Sequence, residues 1–209
     1  MYQTLSYIAL LSGFVPFVLL VFKAKGTKGC LKAPIVPFVF LTAISSMYEL
    51  IATTMLKINT SYWFQLYSLL EFSTILYFFN NINKNKLFNA GSFVILTIIY
   101  IISFFYWNSS NALNALTINN SSLTFYVMIS LILWIKALFK ENDVDNLWKH
   151  PDYYFVSAFA LYYFSTAFLF LMSNNLFKSE DYFLDFWILN IIATIIFRVL
   201  LSVGVWKMK

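Results

Sequence analysis

Two carboxylates stand alone inside long apolar stretches of this chain. Glu49 is the only charged residue between Lys32 and Lys57. Glu71 is the only one between Lys57 and Lys84. A carboxylate within a membrane span is costly, and it is found mainly where it faces a partner, a cavity or an ion pathway. These two side chains are therefore the first candidates for a site that holds a proton, a cation or an ion pair.

Arg198 is the only arginine in the chain, and its planar guanidinium suits a carboxylate better than a lysine does. At about 1.5 Å per helical residue, Glu71 lies roughly 14 Å from the start of its apolar run. Arg198 lies roughly 12 Å from the end of its own run, so both are near mid-membrane. This match in depth predicts a Glu71–Arg198 pair. Alternatively, the Arg198 side chain extends to the membrane surface, and Glu71 is protonated and forms a hydrogen bond with a hydroxyl group.

Helical spacing groups further polar residues around these charges. In the second apolar run, polar side chains recur three and four residues apart around Glu49, which places them on one helix face. The predicted cavity or buried polar site comprises Ser45, Glu49, Thr53, Tyr67, Glu71, Asn190, Thr194 and Arg198. Such a site either binds a small polar or cationic ligand, or passes a proton. In the structural alternative, the same groups form interhelical hydrogen bonds, each worth only about 0.6 kcal/mol.

The sequence lacks the residues that several other kinds of site require. The single histidine, His150, and the single cysteine, Cys30, both fall in predicted inner loops. Zinc and haem sites need histidine or cysteine ligands, and a serine or cysteine nucleophile needs a nearby base. The chain has five glycines and no phosphate-binding loop. We therefore expect no metal, no cofactor and no catalytic residue, which favours a protein that is not an enzyme.

The amino-acid composition indicates that these residues lie in a membrane protein. The 209 residues are 61% hydrophobic and only 11% charged, with a mean hydropathy of +0.74, whereas soluble domains carry about 25% charged residues. Apolar runs of about 20 residues suit membrane-spanning helices, and the alternating pattern of barrel strands is absent. The sequence therefore predicts an all-α bundle in one domain, residues 1–209. Its seven spans are Leu5–Phe22, Pro34–Leu56, Tyr62–Asn80, Phe88–Trp107, Leu123–Phe139, Tyr153–Met172 and Tyr182–Trp206.

A polar loop is predicted between the fourth and fifth spans. The stretch between Lys86 and Lys136 carries no charge, but it is too long for one helix. Its middle, Asn108–Ser122, is rich in asparagine and serine, which favour loops and helix caps. We expect this segment to be an uncharged hairpin that divides the stretch into two helices.

The lysines predict the orientation of the chain. Eleven of them fall in alternate connections or at the C-terminus, whereas Lys57 and Lys178 alone fall on the opposite side. Because positive residues collect on the cytoplasmic side, the N-terminus is expected outside and the C-terminus inside. The frequent Asn, Lys, Ile and Phe residues suggest a bacterial source, hence a cytoplasmic (inner) membrane. The net charge of +5 is explained by anionic lipid headgroups, so no nucleic-acid partner is expected.

Two segments carry a resemblance to a known group of proteins. They are Tyr67–Ser73, with its Tyr-x-x-x-Glu pattern, and the run Pro151–Ser157 leading into Leu161–Leu171. With the seven-span layout, they resemble small seven-span membrane proteins and the membrane regions of sensor histidine kinases of Bacteroidetes-type bacteria. The resemblance implies that the protein senses a ligand. Only three residues follow Trp206, so we expect no output domain and a signal that leaves through a partner protein.

Three functions follow as hypotheses. The first is a receptor-like or regulatory protein that senses an outer-face or membrane ligand and signals through a membrane or cytoplasmic partner. The second is an accessory subunit of a multiprotein membrane complex. The third is a small transporter or an intramembrane enzyme that uses Glu49 and Glu71. Against transport, the sequence has no internal repeat, no pair of spans broken by glycine or proline, and an odd number of spans.

Overall fold

The computed structural model describes residues 2–26, 29–58, 60–83, 85–107, 112–140, 147–171 and 183–208. This part of the chain is helical and contains no strand. Short 3₁₀ segments lie at Cys30–Lys32 and Leu147–Lys149, and a π-helical segment follows α3 at Leu50–Met55. The α-helices are α1 (Tyr2–Ser12), α2 (Val15–Gly26), α3 (Val36–Glu49), α4 (Ser61–Ile82), α5 (Lys86–Tyr106), α6 (Ala112–Lys140), α7 (Pro151–Leu171) and α8 (Phe183–Lys207).

Five helical segments are long and apolar enough to cross a membrane. Many of their large apolar side chains are exposed: Leu87 and Phe105, at the two ends of α5, are 86% and 81% exposed. Water would not favour such surfaces, so the chain belongs in a lipid bilayer. Helices α4 and α7, with 22 and 21 residues, match the predicted third and sixth spans in position. The five segments are Thr4–Gly26, Val36–Thr53, Lys86–Tyr106, Ala115–Lys140 and Trp187–Lys207.

The first predicted span is one apolar segment, but two helices form it. The chain turns at Gly13 and Phe14, where Gly13 N–H donates to Leu10 O (3.1 Å) and Phe14 N–H donates to Leu11 O (3.2 Å). These tighter bonds replace the regular helical pattern. Pro16 lies in the first turn of α2, where its missing N–H costs nothing. The prediction of an unbroken helix was therefore wrong at this point.

The predicted polar hairpin was also partly wrong. Residues 108–111 lie outside the described part of the chain, but α6 begins at Ala112 and includes the asparagines and serines that follow. Two hydroxyls bond back to their own helix, Ser122 to Ile118 O (2.8 Å) and Thr124 to Asn120 O (2.7 Å). Such side chains satisfy their polar atoms within the helix instead of ending it. Helix α6 therefore begins about three turns before the predicted span.

The helices pack as two groups joined by α7 and by a contact between α3 and α4. Helices α1, α2 and α3 contact one another, and α1 and α2 also pack on α8; α4, α5 and α6 form the second group. Helix α7 packs against both α6 and α8. The α7–α8 contact is close at Gly204, where a Cβ atom would come within 2.3 Å of Phe155 Cε1. Glycine is thus required for this approach.

An aromatic layer forms the centre of the core. Phe38 of α3 and Phe159 of α7 meet edge to face at 5.0 Å between ring centroids. Phe159 also contacts Phe78 of α4 (5.5 Å) and Phe197 of α8 (5.7 Å). Edge-to-face packing is the arrangement that aromatic rings favour. This aromatic layer (Phe38, Phe78, Phe155, Phe159 and Phe197) therefore ties four helices together.

Two lysine contacts show which helix ends lie together. The ammonium of Lys23, near the end of α2, donates to the carbonyl of Met208 beyond α8. Lys207, at the end of α8, lies 5.9 Å from the ring centroid of Tyr154 near the start of α7. The ends of α2 and α8 and the start of α7 therefore share one end of the bundle, referred to below as the lysine-rich end.

Candidate functional site

The break between α1 and α2 creates an acceptor inside the bundle. In a continuous helix, the carbonyl of Ala9 would accept from Gly13 N–H. Here Gly13 bonds to Leu10 instead, and the guanidinium of Arg198 donates to the Ala9 carbonyl. Ser12 Oγ also donates to it at 2.7 Å. The negative end of the α1 dipole thus faces the only arginine of the chain.

Gly13 allows three helices to meet at this point. A Cβ atom there would lie 2.0 Å from Ser46 Oγ of α3 and 3.1 Å from Arg198 Cζ of α8. Ser46 is fully buried, and its hydroxyl has no hydrogen-bond partner in the structure. Any larger residue at position 13 would push α1 away from Arg198. The glycine therefore positions the guanidinium as well as the helix.

Glu49 supplies the negative charge that faces Arg198. The two side chains attract each other electrostatically, although they lie on different helices. Ser45 Oγ, one turn earlier on α3, donates to Glu49 Oε1 at 3.1 Å. Arg198 is only 9% exposed. Removing such charges from water is costly, so their mutual attraction and their hydrogen bonds must offset that cost.

Glu71 has a different partner from the one predicted. Tyr163 of α7 donates its hydroxyl hydrogen to Glu71 Oε1 at 3.1 Å, and the two residues are 2% and 9% exposed. The electrostatic attraction on Arg198 comes from Glu49. The predicted Glu71–Arg198 pair was therefore wrong. Residue spacing had given the depth of each side chain, but not its direction around the helix axis.

Two further tyrosines complete this region. Tyr67 of α4 and Tyr162 of α7 lie within electrostatic reach of both glutamates and of Arg198. A hydrogen bond joins the side chains of Tyr162 and Thr194, and Thr194 Oγ1 donates to Asn190 O at 2.8 Å. We define the charged cluster as Glu49, Tyr67, Glu71, Tyr162, Tyr163 and Arg198. It is an acid–tyrosine–arginine site on four helices, with α1 contributing a carbonyl.

The π-helical segment begins directly after Glu49. Its wider turn appears in the bond from Leu56 N–H to Ile51 O (2.9 Å), five residues back. An extra residue per turn rotates the following side chains relative to a regular helix. Thr53 is accordingly exposed, and its hydroxyl donates to the carbonyl of Glu49 instead of facing the charged cluster. Single π-turns within helices are frequent at functional sites.

Aromatic rings lie beside Glu49, away from the lysine-rich end. Tyr48 stacks on Trp63 with 4.3 Å between ring centroids, and Trp63 lies 6.2 Å from Tyr67. All three side chains are half-buried. Aromatic faces next to a carboxylate suit cationic groups. The stacked Tyr48–Trp63 pair therefore places aromatic rings next to the charged cluster.

The structure brings together most of the residues that the sequence selected. Ser45, Glu49, Tyr67 and Arg198 are linked, Glu71 joins them through the tyrosines, and Thr194 joins through Tyr162. Asn190 lies one turn from Thr194, and its buried Oδ1 has no hydrogen-bond partner within the described part of the chain. Thr53 does not join the group.

Sequence reasoning missed four contributors: Ala9, Gly13, Tyr162 and Tyr163. The chain has 14 tyrosines, so no pattern marks two of them as polar ligands rather than core residues. The Gly13-Phe14-Val15-Pro16 sequence did carry a signal for a break in the first span.

Neither a metal site nor a similar known protein indicates which function the chain has. Among the described residues, no group of three or more His, Cys, Asp or Glu side chains could hold a metal ion. Comparison of the chain with protein-family models, curated proteins and solved structures finds no match. The chemistry of the charged cluster is therefore the main guide to what the protein does.

Proposed function

We propose that this chain is a receptor-like or regulatory membrane protein, not an enzyme. It binds a small polar or cationic ligand at the charged cluster and signals through a partner protein. One observation carries the proposal: two carboxylates, an arginine and three tyrosines converge inside an otherwise apolar bundle. Packing alone does not require charge, because hydroxyls and amides also link helices in membranes.

The balance of charge within the cluster supports a cationic or protonated guest. Arg198 faces Glu49, which leaves Glu71 with a tyrosine hydroxyl and no cation. A bound ammonium group or a proton would neutralise this second acid. The half-buried Tyr48–Trp63 pair offers aromatic faces to such a cation on its way in.

We further propose seven membrane crossings, with the N-terminus outside and the C-terminus in the cytoplasm of a bacterial cell. The segment α1–α2 forms the first crossing, and α3 to α8 form the other six. The lysine asymmetry supports this orientation, as do the contacts of Lys23 and Lys207 at one end of the bundle. Reporter fusions after Asn83 and after Asn146 should both report the cytoplasm; an external location for either would overturn the topology.

The π-helical segment is the proposed route by which binding changes the fold. It adjoins Glu49 and the Thr53–Glu49 hydrogen bond. A change in the charge next to Glu49 would alter the balance between π and α geometry there. In this proposal, the partner detects the resulting shift of α3 at the cytoplasmic face.

Transcript profiling in the native host tests the signalling role. We compare the wild type with a deletion strain, with Glu71→Gln and with Ser73→Ala, a change on the exposed face of the same helix. Glutamine still accepts the Tyr163 hydrogen bond, so the fold should persist. The expected result is that Glu71→Gln reproduces the deletion profile at normal protein level, while Ser73→Ala matches the wild type.

The same strains distinguish the receptor proposal from the accessory-subunit alternative. That function predicts a stable membrane complex that co-purifies with the wild-type chain and is lost on deletion, with no transcript response to Glu71→Gln. This outcome would replace the receptor proposal.

A specific observation favours small-solute transport as the second candidate. The first segment is discontinuous at Gly13, and the second contains the π-helical turn. Broken helices with free carbonyls are a common way to build substrate sites in transporters. Proteoliposomes holding a pH-sensitive dye test this function. Proton uptake that Glu71→Gln abolishes and Ser73→Ala preserves would favour transport over sensing.

A further inference from the structure

A second polar region lies away from the charged cluster, between α4, α5 and α6. We name it the neutral seam: Gln65 and Ser68 of α4, Tyr100 and Ser103 of α5, and Asn119 and Ser122 of α6. Gln65 Nε2 donates to Ser103 Oγ at 3.4 Å, and Tyr100 donates to the Gln65 carbonyl at 3.3 Å. None of the six side chains carries a charge, and the charged cluster does not use them.

A small cleft opens within this seam. Its polar lining comes from Ser68, Tyr100, Asn119 and Ser122, and its apolar lining includes Phe72 and Leu123. The cleft is partly open, and its space of about 10 Å³ is at the lower limit of what one water molecule needs. Asn119 is 8% exposed, and its amide nitrogen Nδ2 has no hydrogen-bond partner among the described residues. A buried amide donor therefore lines a gap of the size of a water molecule.

The hydrogen-bonding groups around the cleft need a bound molecule between them to satisfy their donors and acceptors. The hydroxyl hydrogen of Ser122 is committed to Ile118 O, and that of Tyr100 to Gln65 O. Both oxygens can then only accept, whereas Asn119 Nδ2 can only donate. A molecule that both donates and accepts satisfies all three. Water does so, and it fits where an alcohol or an amide would be too large.

We propose that the cleft between α4, α5 and α6 is a binding site for a structural water molecule. The water accepts a hydrogen bond from Asn119 Nδ2 and donates to the oxygens of Ser122 and Tyr100. Buried waters typically make about three such bonds to groups that are otherwise unsatisfied. In a bilayer the need is stronger, because no bulk water can compensate the polar atoms. The site fixes α6 against α4 and α5.

Radiolytic hydroxyl-radical labelling of the full chain in lipid nanodiscs tests this site, because radicals formed from a bound water oxidise the side chains next to it. Leu123 lines the cleft, whereas Leu131, two turns later on α6, is not among its lining residues. Both are 2% exposed, so solvent exposure alone predicts equal labelling. We expect Leu123 to be labelled several-fold faster than Leu131. Equal rates in the wild type would overturn the proposal.

The variant Asn119→Leu provides a second measurement. It removes the donor and fills the space, so labelling of Leu123 should fall to the level of Leu131. Asn119→Ser keeps a polar group and room for the water, and Leu123 should remain labelled faster than Leu131. If Leu123 stays rapidly labelled in Asn119→Leu, the radicals come from elsewhere and the assignment to this cleft is wrong. The wild-type comparison decides even if the leucine variant does not fold.

Discussion

The charged cluster and the neutral seam are both polar regions inside an apolar bundle, but they are held differently. The hydrogen bonds that reach the glutamates are 3.1 Å long, from Ser45 and from Tyr163. In the neutral seam, the two bonds that join α4 to α5 are 3.3 and 3.4 Å long, and the Asn119 amide nitrogen has no partner among the described residues. An unpaired charge costs far more than an unpaired amide, so charge enforces its own geometry. Neutral groups tolerate looser contacts and leave room for water.

The largest expected loss of stability comes from a substitution in the charged cluster. Arg198→Leu removes the cation that attracts Glu49 and one of the two donors to the Ala9 carbonyl, the other being Ser12 Oγ. We expect a loss of about 3–5 kcal/mol in the free energy of unfolding, as for other broken buried pairs. Denaturation in mixed micelles would measure it. Val199→Leu, at an exposed neighbouring position, is the matched control and should have little effect.

A double variant sharpens this result. Adding Glu49→Gln to Arg198→Leu removes the stranded charge, so the combined loss should be smaller than the sum of the two single losses. Strict additivity would show that the two side chains do not interact.

The next effect tests how closely the charged cluster is packed. Gly13→Ala would place a methyl group 2.0 Å from Ser46 Oγ, which should cost about 1–3 kcal/mol through overpacking. Gly91→Ala is the control, because no atom lies within 4 Å of the added Cβ in α5. Thermal unfolding in detergent should show a lower midpoint for the first variant only. Equal midpoints would mean that α1 adjusts freely and does not position Arg198.

Two tyrosines allow the regions to be compared with one chemical change. Tyr163 and Tyr126 are 2% and 4% exposed, and each donates to a buried acceptor, Glu71 Oε1 at 3.1 Å or Asn89 Oδ1 at 3.3 Å. Tyr163→Phe should cost about 1.5 kcal/mol or more, since its acceptor is a carboxylate. Tyr126→Phe, farther along the α5–α6 interface, should cost about 0.6 kcal/mol. A reversed order in unfolding experiments would contradict the comparison.

The smallest effect lies within the neutral seam. Ser103→Ala removes the long hydrogen bond from Gln65, and we expect a loss below about 0.6 kcal/mol in the same unfolding experiment. A loss as large as that of Tyr163→Phe would mean that the seam is held as firmly as the charged cluster.

Hydropathy was sufficient to predict an all-helical membrane bundle, because apolar runs in lipid have few alternatives to the helix. It failed where polar residues continue a helix. Asn119 and Ser122 favour loops in isolation, yet they lie in α6 and pack against α4 and α5. Composition could not reveal that packing.

Periodicity selected the right polar residues of α3, but only as far as the helix stays regular. Beyond Glu49 the π-helical turn changes the rotation per residue, and Thr53 leaves the predicted face. The partner of Glu71 lies on α7, within a run of aromatic residues that offers no periodic signal. Contacts between distant helices depend on rotation about each axis, which a single sequence does not specify.

The aromatic layer also bears on the electrical properties of the protein. Two of its rings lie on the lysine-rich side of the charged cluster: Phe78 is two turns beyond Glu71 on α4, and Phe155 is two turns before Tyr163 on α7. A layer of close-packed apolar rings has neither water nor permanent dipoles that can reorient, so a voltage applied across the bundle would fall largely over such a layer. A unit charge that crosses the whole membrane field gains or loses about 2.3 kcal/mol per 100 mV. A proton or cation passing from the cluster to the lysine-rich end would experience much of that field within these few rings.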